Sequence, residues 1–76
     1  MSTTLANIQL GYSAIIDKYT DADISSKMME MGCIPGERVT VSSIAPMGDP
    51  IAINIAGYLL SLRKNEASQI IVTQVD

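Results

Sequence analysis

The sequence predicts a mainly β domain, a small barrel of about five short strands with one inserted helix and one short helical turn. Apolar residues alternate with small or polar residues in several short runs, which is the pattern of half-buried strands. Glycine and proline separate these runs at short spacing, as turns between strands require. With 76 residues, of which 47% are apolar, the chain is expected to form one domain over residues 1–76 with its core in about residues 8–75.

The first elements lie on either side of Gly11. Residues 1–7 are polar and are expected to be loose, although Leu5 and Ile8 could dock on the core. The run GYSAIIDKYT then predicts a strand with Ala14 and Ile16 on one face.

A helix is predicted next, over residues 22–31, because three apolar side chains recur there on one stripe: Ile24, Met28 and Met31. Thr20 and Asp23 have the spacing of a capping box, which marks a helix start. Gly32 stands where a residue in the left-handed conformation would end the helix. The apolar stripe is expected to pack on the sheet.

The second half of the chain predicts the remaining strands. ERVTVSSIA places Val39 and Val41 on one face, and IAINIAG has the clearest alternation, with three isoleucines pointing the same way: Ile51, Ile53 and Ile55. YLLSLR and QIIVTQV predict two further strands. RKNEAS between them is long enough for a single helical turn.

Six glycines and prolines are assigned to turns: Gly32, Pro35, Gly36, Pro46, Pro50 and Gly57. Proline followed by glycine at 35–36 fits the two central positions of a type II turn. Glycine at 57 fits a tight hairpin turn. The two prolines that bracket Met-Gly-Asp remove conformational freedom from the loop that joins two strands.

Charge and cysteine content exclude several classes of protein. The net charge is −3 and the isoelectric point is near 4.6, which argues against nucleic acid as a partner and against binding to anionic membranes. The single cysteine, Cys33, fits a reducing compartment, and neither a signal peptide nor a membrane-spanning segment is predicted. A cytoplasmic protein is expected, without direct membrane insertion.

The residue chemistry predicts neither an enzyme nor a metal site. No nucleophile–base pair or cofactor loop stands out, so no catalytic residue and no cofactor are assigned. The sequence has no histidine, and four carboxylates match no known ligand spacing: Asp17, Asp21, Asp23 and Glu30. Cys33 follows a helix end, where the dipole disfavours a thiolate, and is expected to be a small packed residue.

Binding to another protein is the function that the remaining features favour. Met29 and Met47 fall off the helical stripe and are candidates for exposed apolar contacts. Gly48 and Asp49 share the rigid loop of Met47, and Arg63 could contact an acidic surface. For Asp49 a structural role is also open, in which its carboxylate accepts backbone N–H groups at the corner. For Arg63 a merely solvated position is equally open.

Three segments together resemble a known family, and they cover roughly residues 5–75: KMMEMGCIPGERVTV, APMGDPIAINIAG and YLLSLRKNEASQIIV. The spacing of the glycine, the Pro-Gly turn and the Ala-Pro-Met-Gly-Asp-Pro block is similar to that of FeoA, the small cytosolic component of bacterial ferrous iron uptake. Met28 and Met31 stand where leucine is more usual, a swap that conserves volume and usually costs less than about 1.5 kcal/mol.

The resemblance implies an SH3-like barrel without catalysis of its own. It also implies a partner, the membrane transporter FeoB, which imports Fe²⁺ and carries a cytosolic G-protein domain. A monomer or weak dimer at the inner face of the membrane is expected. The alternative is a metal-responsive regulatory domain like the barrel of iron-dependent repressors, since a related domain occurs there.

Overall fold

The described residues form a single antiparallel sheet of six strands, with two short helices and one 3₁₀ turn between its strands. The computed structural model describes residues 2–75. In chain order the elements are β1 (Ser2–Thr4), the 3₁₀ turn (Leu5–Asn7), β2 (Ser13–Tyr19), α1 (Ala22–Glu30), β3 (Arg38–Ile44), β4 (Ile51–Ile55), β5 (Tyr58–Leu62), α2 (Lys64–Ala67) and β6 (Ile70–Gln74). Their order in the sheet is β1-β6-β2-β3-β4-β5, so β1 and β5 lie at its two ends.

The N-terminal segment departs from the sequence prediction. Residues 2–7 are not simply loose, because Ser2–Thr4 forms β1 and pairs with β6, with Ser2 opposite Thr73; residue 1 lies outside the described residues. Leu5 is fully buried, so the core begins before residue 8. Pairing with a strand about seventy positions away leaves no mark in a three-residue polar run, and this explains both the missed strand and the count of five rather than six.

The core lies on the inner face of the sheet and under α1. The predicted faces are confirmed: one residue in two is buried along β2, β3 and β4, as Ala14, Ile16, Val39, Val41, Ile51, Ile53 and Ile55 show. Ile24 and Met28 of α1 are buried, and Met31 packs on the same cluster. Ser13 is buried as well, and its hydroxyl shares a hydrogen bond of 2.7 Å with Thr40 Oγ1.

Helix α1 begins at Ala22, as predicted, but a different residue caps it. The N-cap is Asp21, not Thr20, and its Oδ1 accepts the backbone N–H of Ile24 at 2.9 Å. Thr20 instead donates its N–H to the carbonyl of Gln69, at 3.0 Å. The backbone of Thr20 thus pairs with the residue before β6, while the side chain of Asp21 satisfies the first turn of α1.

The helix ends in a Schellman motif. Gly32 has φ +94, the Cys33 N–H donates to the Met28 carbonyl at 2.9 Å, and the Gly32 N–H donates to the Met29 carbonyl at 3.1 Å. The chain then turns at Pro35-Gly36, where Gly36 has φ +96 and the Glu37 N–H donates to the Ile34 carbonyl at 3.0 Å. This tight turn delivers the chain directly into β3.

Candidate functional site

The loop between β3 and β4 presents Met47 to solvent on a closed backbone. The Gly48 N–H donates to the Ala45 carbonyl at 2.7 Å, and the Ala45 N–H donates to the Pro50 carbonyl at 3.1 Å. Gly48 has φ +85, and the Asp49–Pro50 peptide is cis. Met47 is 92% exposed, the largest value among the exposed apolar side chains of residues 2–75. The loop therefore holds an apolar side chain out into water.

Asp49 fixes this loop to the element that follows β5. Its Oδ1 accepts the backbone N–H of Lys64, the first residue of α2, at 2.9 Å. The sequence predicts that this carboxylate accepts backbone N–H groups, and it does, but on α2 rather than at its own corner. The bond brings together Met47, Gly48, Asp49, Arg63 and Lys64, which we call the Met47 patch.

Helix α2 is in turn held against α1. Glu66 Oε1 accepts the Arg63 N–H at 2.9 Å, and Glu66 Oε2 pairs with the ammonium group of Lys27. The Lys27 hydrogen bond, and then that of the Arg63 backbone, lower the pKa of the Glu66 carboxyl. Arg63 and Lys64 themselves are exposed, and neither side chain forms an ion pair within residues 2–75. The cationic groups of the patch are thus available to a partner.

Met29 lies apart from the Met47 patch. It is 46% exposed and lines an open groove of about 420 Å³ between β2 and α1, together with Asp17, Lys18, Tyr19, Asp21, Ala22, Ser25 and Pro35. None of the residues that line this groove belongs to the loop between β3 and β4 or to α2. The five candidate partner residues therefore divide between two surfaces, four on the patch and Met29 in the groove.

Cys33 is a buried core residue. Its side chain has no exposed area, and burial raises the pKa of the Cys33 thiol to about 11. Burial, with a smaller contribution from Cys33, also raises the pKa of Tyr19 to about 12. Burial therefore disfavours the thiolate form, which is the reactive and metal-binding form of cysteine.

Two of the four carboxylates singled out in the sequence have structural roles in the fold. Asp21 caps α1, and Asp17 Oδ2 accepts the hydroxyl of Thr73 at 2.6 Å. Within residues 2–75 no group of three or more histidine, cysteine, aspartate or glutamate side chains is placed to hold a metal ion. The same part of the chain contains no helix with both the length and the apolar character needed to cross a membrane.

The sequence does not predict the contact between Tyr58 and the end of α1. The Tyr58 hydroxyl donates to the carbonyl of Met31 at the end of α1, and it lies directly against Gly32. A Cβ atom on Gly32 would overlap the Tyr58 hydroxyl and lie 3.3 Å from Cζ. The only signal in the sequence is the glycine itself, which the Schellman motif already explains, so the contact could not be foreseen.

Comparison with known proteins identifies relatives of this chain. The FeoA domain model matches residues 3–74. A Fe(2+) transport protein A/Fe(2+) transporter FeoB fusion protein of Porphyromonas gingivalis is 33% identical over 67 residues, which are 87% of this chain and 8% of that protein. The chain thus spans a small part of the length of this relative.

Solved structures show the same fold. A FeoA-like protein from Clostridium acetobutylicum is 33% identical with a TM-score of 0.92, over 99% of this chain and 88% of that one. Stenotrophomonas maltophilia FeoA complexed with zinc, described as a prokaryotic SH3 domain protein, is 26% identical with a TM-score of 0.81, over 96% and 95%. A manganese-dependent transcriptional repressor matches at 17% identity and a TM-score of 0.88, over 97% of this chain and 41% of that one, a likeness of fold alone.

The matched family model spans nearly all of the described residues. The Pro-Gly turn and the Pro-Met-Gly-Asp-Pro loop both fall inside the matched range. The mainly β, SH3-like fold that the sequence predicts is confirmed, with six strands. This chain belongs to the FeoA family.

Proposed function

We propose that this protein is a non-catalytic accessory component of ferrous iron uptake that binds the cytosolic part of a FeoB-like transporter. One observation carries the proposal: in a relative, the FeoA region and the FeoB transporter form a single polypeptide. Fusion keeps two modules at a high effective concentration, which is useful when they act on each other. In this proposal a binding surface on the FeoA region makes the contact with the transporter.

The Met47 patch is the surface that we assign to this contact. Met47 offers an unbranched, adaptable apolar side chain at 92% exposure, and its loop is held rigid by two backbone hydrogen bonds and by Asp49. A rigid surface loses little conformational entropy when it binds. Arg63 and Lys64 beside it favour an acidic surface on the partner. In this proposal Fe²⁺ is the cargo of the transporter and not a ligand of this chain.

Fewer observations support the alternative of a metal-responsive regulatory domain. The likeness to a manganese-dependent repressor is one of fold, and the described residues offer no cluster of metal-binding side chains. A sensor has to bind its metal ion with useful affinity. A titration with Mn²⁺ or Fe²⁺ that shows specific, saturable binding would therefore favour this alternative over the accessory role.

The test is a binding titration against full-length FeoB of the same organism in nanodiscs. We expect saturable binding and expect Met47→Asp to weaken it about tenfold or more, because a charge replaces a central apolar contact. The matched control is Met29→Asp, which makes the same change on the separate groove. At these exposed positions both variants should stay folded, with stability changes within about 0.5 kcal/mol.

The two variants locate the interface. A loss of binding only with Met29→Asp would move the contact to the β2–α1 groove and contradict the assignment of the Met47 patch. An absence of binding by the unaltered protein at high micromolar concentration would contradict the proposed function itself.

A further inference from the structure

Strand β5 is an end strand of the sheet that lacks the usual protection of such strands. Exposed sheet edges are normally blocked by charged residues, proline or bulges. β5 reads Tyr-Leu-Leu-Ser-Leu, with no charge and no proline, and it pairs with β4 in unbroken register along all five residues. The opposite end of the sheet is only the three-residue β1.

The register shows which backbone groups β5 leaves unpaired. Ile55 lies opposite Tyr58 across a two-residue turn, in which Ala56 has φ +51 and Gly57 φ +86. Such a type I′ turn makes the flanking pair a hydrogen-bonded pair, and these pairs alternate along the ladder. The N–H and C=O groups of Leu59 and Ser61 therefore point away from β4. Within residues 2–75 neither backbone forms a hydrogen bond outside the sheet.

The surroundings of this edge favour a partner strand. Leu59 is 66% exposed on the outer face, and Ser61 is exposed beside it. Both ends of β5 are anchored, at one end by Tyr58 on the Met31 carbonyl and at the other by the Asp49 bond to Lys64. The edge is also continuous with the Met47 patch, because Arg63 directly follows β5. A fixed, uncharged and unpaired edge is suited to adding a strand.

We propose that β5 binds an extended segment of the FeoB-like partner as a seventh strand, with an apolar side chain against Leu59 and an acidic residue beside Arg63 and Lys64. This inference rests on the proposed function and names the way in which the partner binds. Main-chain hydrogen bonds to Leu59 and Ser61 supply affinity, and the two cations select the charge at one end of the segment.

A second copy of this chain fits the edge less well. If two copies paired in antiparallel fashion, Leu59 of each would lie opposite Ser61 of the other, and all the unpaired backbone N–H and C=O groups of both strands would be used. Leu60 of one copy would then lie opposite Leu60 of the other. Arg63 would then lie opposite the Ala56–Gly57 turn, which carries no charge. A partner segment with an acidic residue can form ion pairs with Arg63 and Lys64, which the pairing of two copies does not provide.

The direct test is backbone hydrogen exchange of β5, followed by mass spectrometry with and without full-length FeoB in nanodiscs. The two outward amides should exchange about tenfold or more slowly in the complex, because each gains a hydrogen bond. Protection of β5 that rises with the concentration of this protein alone would assign the edge to a second copy and overturn the proposal.

Three substitutions test the edge by affinity. Leu59→Lys places on β5 the charge that natural edges use as a block, and Ser61→Pro removes an outward N–H without touching the β4 ladder. Each should weaken FeoB binding about tenfold or more. The matched control, Asn54→Lys, adds the same charge on the same face directly opposite Leu59, but on the interior strand β4. It should bind within about threefold of the unaltered protein.

The outcomes separate this inference from the proposed function. If the unaltered protein binds FeoB while Leu59→Lys and Ser61→Pro bind equally well and β5 gains no protection, strand addition is overturned and the accessory role stands. If Asn54→Lys weakens binding as much as Leu59→Lys, the contact uses the face of the sheet and not its edge. If the unaltered protein does not bind, both proposals are overturned.

Discussion

Strands β4 and β5 form one hairpin, yet they are held in different ways. β4 pairs with β3 on one side and β5 on the other, and three of its five side chains are buried: Ile51, Ile53 and Ile55. β5 pairs on one side only and leaves Leu59 mostly exposed, and its position is secured by contacts at its two ends. The interior strand supplies stability, while the end strand is kept in place without using its outer edge.

The largest expected difference between the two strands comes from placing aspartate on each. Ile53→Asp puts an unpaired charge in the centre of the core and should cost roughly 3–5 kcal/mol, most of the stability of so small a domain. Leu59→Asp should change stability by about 0.5 kcal/mol or less, because the side chain is already in water. Urea unfolding followed by circular dichroism measures both. An Ile53→Asp protein as stable as the unaltered protein would contradict the assignment of faces.

The anchor at the start of β5 comes next in size. Gly32→Ala should cost about 2–3 kcal/mol, since alanine is strained at φ +94 and its Cβ overlaps the Tyr58 hydroxyl. Thermal unfolding measures this change. Gly36→Ala is the matched control, because Gly36 has φ +96 and nothing within 4 Å of an added Cβ, so only the backbone strain of about 1–2 kcal/mol applies.

A double variant isolates the overlap from the strain. Tyr58→Phe removes the hydroxyl, so Gly32→Ala should cost less in that background than in the unaltered protein. Equal costs in the two backgrounds would show that the Tyr58 contact does not restrict residue 32.

The anchor at the other end of β5 should have a smaller effect. Asp49→Ala removes the acceptor for the Lys64 N–H and should cost about 1 kcal/mol, as the loss of a helix cap does. Asp49→Asn keeps an oxygen at the same place and serves as the control. In chemical denaturation the asparagine variant should retain most of the stability, and equal losses for both variants would instead point to the carboxylate charge.

The smallest effect is expected from the link between α2 and α1. The pKa of Glu66 is lowered in the folded chain, so protonation favours the unfolded state. The ionised Glu66 carboxylate therefore makes its full contribution to stability above the ordinary carboxyl pKa. That contribution is lost as the pH falls through the lowered pKa of the folded state. Between pH 7 and pH 3 the unaltered protein should lose up to about 1 kcal/mol more than Glu66→Gln. An identical loss in both proteins would show that the Lys27 pair contributes nothing.

Sequence patterns identify the parts of the fold that depend on neighbouring residues. The alternation of Ile51, Ile53 and Ile55 predicts the buried face of β4, and the position of Gly32 predicts the end of α1. Such signals work because side-chain direction and backbone φ are local properties. Strand β1 depends on its pairing with β6, which no local pattern contains. The Asp21 cap is a local contact with Ile24, and the capping-box spacing at Thr20 competes with it as a signal.

The candidate site shows the same division. The exposure of Met29 and Met47 follows from their place outside the helical stripe, and the structure confirms it. The bond from Asp49 to Lys64 joins residues 15 positions apart, and with the pairing of Ile51 and Leu62 it brings Arg63 to the Met47 loop. Whether two exposed residues share one surface is a question of tertiary contacts, so the separation of Met29 from the patch could not be predicted.

The place of β6 in the sheet has a consequence for how the chain folds. β6 lies between β1 and β2, and Ser2 pairs with Thr73. The first two strands therefore gain the strand that lies between them only when Ile70–Gln74 has left the ribosome. Closing a loop of this length costs conformational entropy before the strands gain any hydrogen bonds. During synthesis, the sheet can close only after translation has supplied its most distant strand.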